Sequence, residues 1–200
     1  MDKVSAVNRA IELIARLSID RSSQVLSKML KVGANITMEK AFLADISEVT
    51  QTVIQEHEEV VGTFIDLSGD LPSKFLLFVA ANDCLALTDM LLRKPVGTTQ
   101  IFDEYVISTI QEIGNVLASA ICNVFSADFQ INMRPSPPEP VHDYAGSIFQ
   151  QYIMTVASQQ NEIMIIQSKF CVVKHNIRCS MFIVPQEGLD KIVEKIAQAM

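Results

Sequence analysis

Two stretches of the chain, Val4 to Lys31 and Asp103 to Phe125, place apolar residues mostly at three- and four-residue steps. That spacing predicts two long helices, each with one buried side. In the first, Val7, Ile11, Ile14, Ala15, Leu17, Val25, Leu26, Met29 and Leu30 form the stripe, with an irregularity expected near Asp20 to Ser23. In the second, Val106, Ile110, Ile113, Leu117, Ile121 and Val124 share one sector at about 100° per residue. A one-sided helix must lie on another layer, and strand-like segments follow each of the two.

After the first helix, Gly33 and Asn35 read as a stop and Ile36 to Ala44 as a strand. An acidic connection, Glu48 to Glu59, leads to a hairpin of Val60 to Leu67 and Lys74 to Ala81, then a helix Cys84 to Arg93 capped by Asn82 or Asp83. The second half repeats the order. A short strand is expected at Asp128 to Met133, and an extended proline segment at Pro135 to Pro140. There follow a helix Tyr144 to Ala157, strands Glu162 to Val173 and Arg178 to Val184, and a closing helix Leu189 to Ala199. Val25-Leu26-Ser27 precedes Val124-Phe125-Ser126 by 99 residues, and Phe78-Val79 with Leu85 precedes Phe182-Ile183 with Leu189 by 104. The expected fold is α/β: one domain of two pseudo-symmetric repeats, about 1–98 and 99–200. They share one mostly antiparallel sheet with both long helices on one face.

Composition narrows the function. A formal net charge of −7, with no basic run longer than two residues, argues against nucleic-acid binding. The longest apolar stretches, such as Phe75 to Ala81, are strand-length, so neither a membrane span nor a secretory leader is expected, and the setting reads as cytoplasmic. Cys84, Cys122, Cys171 and Cys179 lack zinc or redox spacing and read as buried free thiols. His57, His142 and His175 stand apart, so no metal site is expected.

The helix at 103–125 also has a polar stripe. Ser108, Glu112, Asn115 and Ser119 lie within about 60° of one another, nearly opposite the apolar sector. A carboxamide can hold a water by two hydrogen bonds without being ionised, and a carboxylate can pair with a lysine on a partner. By itself the stripe reads as the solvated side of a surface helix.

Ser108-Thr-Ile-Gln-Glu112-Ile-Gly-Asn115, with Pro138 twenty-two residues beyond the Asn, resembles the signature of the CheC, CheX and FliY phosphatases, and of CheC in particular. The flanking LTDMLLRKPVGTT, EIGNVLASAICNVF and RPSPPEPVHDYAGSIF resemble CheC as well. The resemblance implies a phosphatase that removes the phosphoryl group from the aspartate of phosphorylated CheY. Glu112 would pair with a lysine of the response regulator, and Asn115 would align the attacking water. Ser108 and Pro138 would support them. The magnesium would belong to CheY, and no cofactor of the chain's own is implied. CheC proteins commonly carry the signature twice, but Arg9, Leu13, Arg16 and Glu39 stand at the corresponding first-half positions, so one working site is implied. The family also binds CheD, here through Asp143 to Phe149, with Asp143 and Ser147 as candidate contacts. The alternative is a non-catalytic adaptor for CheY or CheD. A FliY-like switch component is not expected, because the sequence shows no further motor-binding segment.

Overall fold

The computed structural model describes residues 16, 19–31, 33–45, 58–157, 162–172 and 177–186. Residues 19–30 form helix α1. It is followed by strands β1 (Ala34–Asp45), β2 (Glu59–Gly69) and β3 (Ser73–Ala80), then helices α2 (Ala81–Leu91) and α3 (Glu104–Phe129). The chain continues through β4 (Met133–Pro135), β5 (Glu139–Tyr144), α4 (Ala145–Ala157), β6 (Glu162–Val172) and β7 (Ile177–Pro185).

All seven strands join one antiparallel sheet in the order β1-β6-β7-β3-β2-β4, with β5 also paired to β2. Exchanging the strands of the two halves leaves this order unchanged when it is read from the other edge. The centre is the β3–β7 pair, where Leu77 faces Met181 across 104 residues of sequence. The helices obey the same relation. Lys31 (φ 54°) and Gln130 (φ 55°) both turn left-handed just past α1 and α3, at the 99-residue offset read from the sequence. The pseudo-symmetric α/β fold is therefore as expected.

Period-two alternation along the strands divides the apolar residues between two faces. Phe75, Leu77 and Val79 of β3, with Cys179, Met181 and Ile183 of β7, pack in the core beneath α1, α2 and α3. Leu76, Phe78, Phe182 and Val184 point the other way, onto Ile148, Phe149 and Tyr152 of α4. Helices α1 and α3 lie on one face, as the stripes require, and α4 alone covers the opposite face among the described residues.

Edge strand β1 is tied down by its own helix. Ser27 Oγ accepts from Ala34 N at 3.0 Å and Ser23 Oγ accepts from Ile36 N at 2.9 Å. These bonds satisfy two amides that would otherwise be open to another chain. A difference from expectation is that 19–30 is regular helix through Asp20 to Ser23, with Ser23 and Ser27 bonded to the following strand.

Three further expectations are corrected. Helix α2 starts at Ala81 straight from β3, with Ala80 at the cap and no side-chain cap bond, so neither Asn82 nor Asp83 caps it. The segment expected as a strand from Asp128 continues α3 to Phe129, where the buried row Ile121, Phe125, Phe129 extends the packing by one turn; the strand begins only at Met133. Tyr144 ends β5 rather than opening a helix, and Asp143 Oδ1 accepts from Tyr144 N at 2.7 Å, one residue before α4. The start of the first helix, most of the 48–59 connection and the closing helix 189–199 lie outside the described residues.

By length and composition alone α3 could cross a membrane. Its apolar side is instead the main wall of the core, with Val106, Ile110, Ile113, Leu117, Ile121 and Val124 all buried. Burying each such side chain contributes roughly 2 kcal/mol, so the six together fix which side of α3 faces outward.

Candidate functional site

Because the apolar stripe takes the inner side, Ser108 and Glu112 are exposed and Asn115 is half-buried on the outer side of α3. Their side chains make no hydrogen bond or ion pair to another described residue, so their hydrogen-bonding capacity is open to a partner. Nearly one helical turn separates Glu112 from Asn115, placing the two residues on one side of the helix about 4.5 Å apart along the axis. The structure thus brings together three of the four signature positions on one surface.

The fourth, Pro138, is joined to them through a residue that sequence reasoning did not single out. Gln111 Nε2 donates to the Pro138 carbonyl at 3.0 Å. Proline has no N–H to give, but its carbonyl remains an acceptor, and this bond holds the segment between β4 and β5 against the flank of the polar stripe. Ser136 closes the same segment from the sheet side: its Oγ accepts from Asp66 N at 3.0 Å, and its own N–H donates to the Asp66 carbonyl at 2.8 Å.

The depth of α3 is set by Gly114. A Cβ built at that position would lie 2.9 Å from Thr63 Cγ2 and 3.3 Å from Thr63 Cβ, so the helix can rest on β2 only because the side chain is missing. Thr63 is fully buried and its hydroxyl has no partner among the described residues. Gly114→Ala is expected to lose about 1 kcal/mol of stability, the overpacking cost exceeding the gain in helix propensity. Adding Thr63→Ala should restore most of that loss by removing the clashing methyl along with an unsatisfied hydroxyl. Strictly additive urea-unfolding energies in the four-chain cycle would show that the two residues do not press on each other.

The N-terminal end of α3 is fastened at three points. Asp103 caps the helix, its carboxylate accepting from Tyr105 N at 3.0 Å and Val106 N at 3.2 Å. The Phe102 ring lies 4.6 Å from the His142 ring, and His142 Nε2 is 3.0 Å from Glu59 Oε1. Behind them Asp89, fully buried in α2, accepts from the amides of Gly97 (2.8 Å), Thr98 (2.9 Å) and Thr99 (2.9 Å) and from Thr99 Oγ1 (2.6 Å). Burial by itself would raise the Asp89 pKa, but the hydroxyl and three amide donors more than offset it and hold the carboxyl below its ordinary value. The signal in sequence was an Asp followed eight to ten residues later by Gly-Thr-Thr, a run rich in unpaired donors.

The other candidates fall as follows. Asp143 and Ser147 are both exposed, on either side of the start of α4. Arg16 is helical and exposed, whereas Arg9 and Leu13 lie outside the described residues. Cys84, Cys122 and Cys179 are buried. Burial pushes the thiol of Cys84 up to about 12, with the nearby Asp83 carboxylate adding to the shift, and that of Cys122 up to about 11. Neither is a thiolate at neutral pH, so neither is a nucleophile.

Comparison with known proteins follows this geometry. Residues 106–142, which run from the first buried turn of α3 to His142 and include Glu112, Asn115 and Pro138, match the model of the CheC-like family. FliY of Thermotoga maritima has the same fold over 100% of this chain and 99% of its own, at 14% identity and a TM-score of 0.77. CheX of Borrelia burgdorferi, solved with CheY, BeF3 and magnesium, aligns over 86% of this chain and 97% of its own at 19% identity, TM-score 0.57. FliM of H. pylori, solved with FliG, aligns over 97% of this chain and 100% of its own at 12% identity, TM-score 0.66. At such identities the likeness is one of fold.

Proposed function

With a CheC-like segment at the heart of the chain, we propose that this protein is a phosphatase for the phosphoaspartate of a phosphorylated CheY response regulator. One observation carries the reading. The spaced residues Ser108, Glu112 and Asn115 all lie on the side of α3 that the core leaves free, beside a proline segment held by Gln111.

In this reading a water oxygen bonds to phosphorus while the bond from phosphorus to the aspartyl oxygen breaks. Inorganic phosphate and the regulator's carboxylate are released. Such a transfer depends on positioning and charge stabilisation more than on covalent help, so an amide that orients water is sufficient. Asn115 supplies that amide, and Glu112 pairs with a lysine of the regulator to set the docking register. The magnesium ion is carried by the regulator. The setting is cytoplasmic, and a CheD-type partner would meet the exposed Asp143 and Ser147 at the start of α4.

The competing reading is a non-catalytic adaptor for CheY or CheD. It is favoured by the first half, where Arg9, Leu13 and Arg16 replace the signature, and by FliM, which shares the fold and has been solved with FliG and with SpeE. The deciding measurement is the decay of phosphorylated CheY from the same cell with and without this protein. Acceleration supports the phosphatase. Unchanged decay with retained binding replaces it by the adaptor.

A further inference from the structure

The two most exposed large apolar side chains among the described residues are Ile101, at 75%, and Tyr105, at 73%. They flank the N-terminal end of α3, Ile101 three residues before it and Tyr105 in its first turn. By helical rotation Tyr105 lies within about 60° of both Ser108 and Glu112, so it continues the polar stripe, while Ile101 stands in the segment that leads into α3. No Lys or Arg occurs between Lys94 and Arg134, whereas Asp103, Glu104 and Glu112 are acidic and exposed on this end of the helix.

The backbone that displays these two residues is held from both sides. Asp89 fixes Gly97 to Thr99, Phe102 is packed on His142, and the Asp103 cap holds the amide of Tyr105 itself. A loose loop would fold its isoleucine back onto the protein to hide it. Here the flanking anchors deny that option, and two apolar groups remain in water at a fixed spacing. Rigid, exposed aromatic and aliphatic anchors beside a charge of one sign are what a partner surface of apolar groups and cations recognises with little ordering cost.

We infer that Ile101 and Tyr105 are the apolar anchor for the response regulator, seating a patch that carries apolar groups and a Lys or Arg next to the Asn115 site, and so setting which regulator is accepted. The inference rests on the phosphatase reading above. It adds a recognition element distinct from the residues that act on the phosphoryl group. Docking through Tyr105 also gives the guanidinium or ammonium of the partner an aromatic face to lie on, on an end of the helix that carries exposed acidic residues.

The test is steady-state dephosphorylation of phosphorylated CheY by wild type, Ile101→Ser and Tyr105→Ser. Both changes are at exposed positions and leave the Asp103 cap bonds to backbone amides intact. Each is expected to raise the half-saturating concentration of phosphorylated CheY by about 10-fold, while the maximal rate changes by less than about 2-fold. If wild type is active and both variants match it in half-saturation, the anchor is refuted while the phosphatase reading stands. If wild type is inactive, it is the phosphatase reading that fails, and binding of phosphorylated CheY to the same variants then decides the anchor. The rival occupant is a second copy of this chain. A wild type that is dimeric by sedimentation, made monomeric by Ile101→Ser with dephosphorylation unchanged, would assign the patch to self-association and overturn the inference.

Discussion

Asn115→Ala is expected to slow dephosphorylation of phosphorylated CheY by about 100-fold, equivalent to roughly 2.7 kcal/mol of barrier. The side chain is half-buried, lies opposite the core stripe, and makes no hydrogen bond or ion pair to another described residue. Its loss should therefore change stability by no more than about 0.5 kcal/mol, and the fall in rate should not come from unfolding. Glu112→Ala should behave differently. Its proposed counterpart is a lysine across the interface, so complex formation should weaken together with turnover. Decay of phosphorylated CheY at several concentrations of each variant separates the two effects. An Asn115→Ala protein with full turnover would remove the amide from the mechanism.

Replacing Asp89 is expected to have the largest effect on folding. The carboxylate has no solvent contact and accepts four hydrogen bonds from Gly97 to Thr99. An asparagine there offers one acceptor oxygen in place of two, and turns its own N–H group toward the remaining donors. The cost of Asp89→Asn should be about 3 kcal/mol at neutral pH, the range for breaking charge-assisted, buried hydrogen bonds.

The pH dependence has a definite sign. The folded pKa lies below the ordinary 3.8. The contribution is therefore fully present above that value and is lost as pH falls through the folded pKa. Wild type should lose part of its advantage over Asp89→Asn on acidification, since a protonated aspartate resembles the amide. Urea midpoints of both proteins from about pH 6 down to about pH 2.5 would show the curves converging. A constant gap across that range would mean the carboxylate's charge is irrelevant to the clamp. Because the clamp holds the approach to α3, Asp89→Asn should also weaken docking through Ile101.

The candidate site was legible in the sequence to the extent that it depends on one helix. Helical rotation alone placed Ser108, Glu112 and Asn115 opposite the six apolar residues, and the described burial has that arrangement. Repeat order and strand alternation were legible for a similar reason: the period of hydrophobicity is a property of a short window. The errors fell at boundaries. Asp128 to Met133 was read as strand because its residues suit either state, and the buried contacts of Phe125 and Phe129 decide for helix. The cap of α2 was misplaced because the chain turns directly from β3 into the helix, which leaves no need for a side-chain cap.

Sequence by itself determined the two amphipathic helices, the strand periodicities, the 99-residue offset between helix ends and the polar stripe with its spaced proline. Each follows from residues close enough in the chain for periodicity to register them. Tertiary structure alone decided the rest. Leu77 meets Met181 across 104 residues, α4 takes the face opposite the long helices, and Gly114 seats α3 on Thr63. Gln111 reaches Pro138 across 27 residues, and Asp89 gathers the donors of Gly97 to Thr99. These are contacts between segments whose approach depends on how the sheet closes. Local patterning states which side of an element is apolar, but not which distant element will cover it.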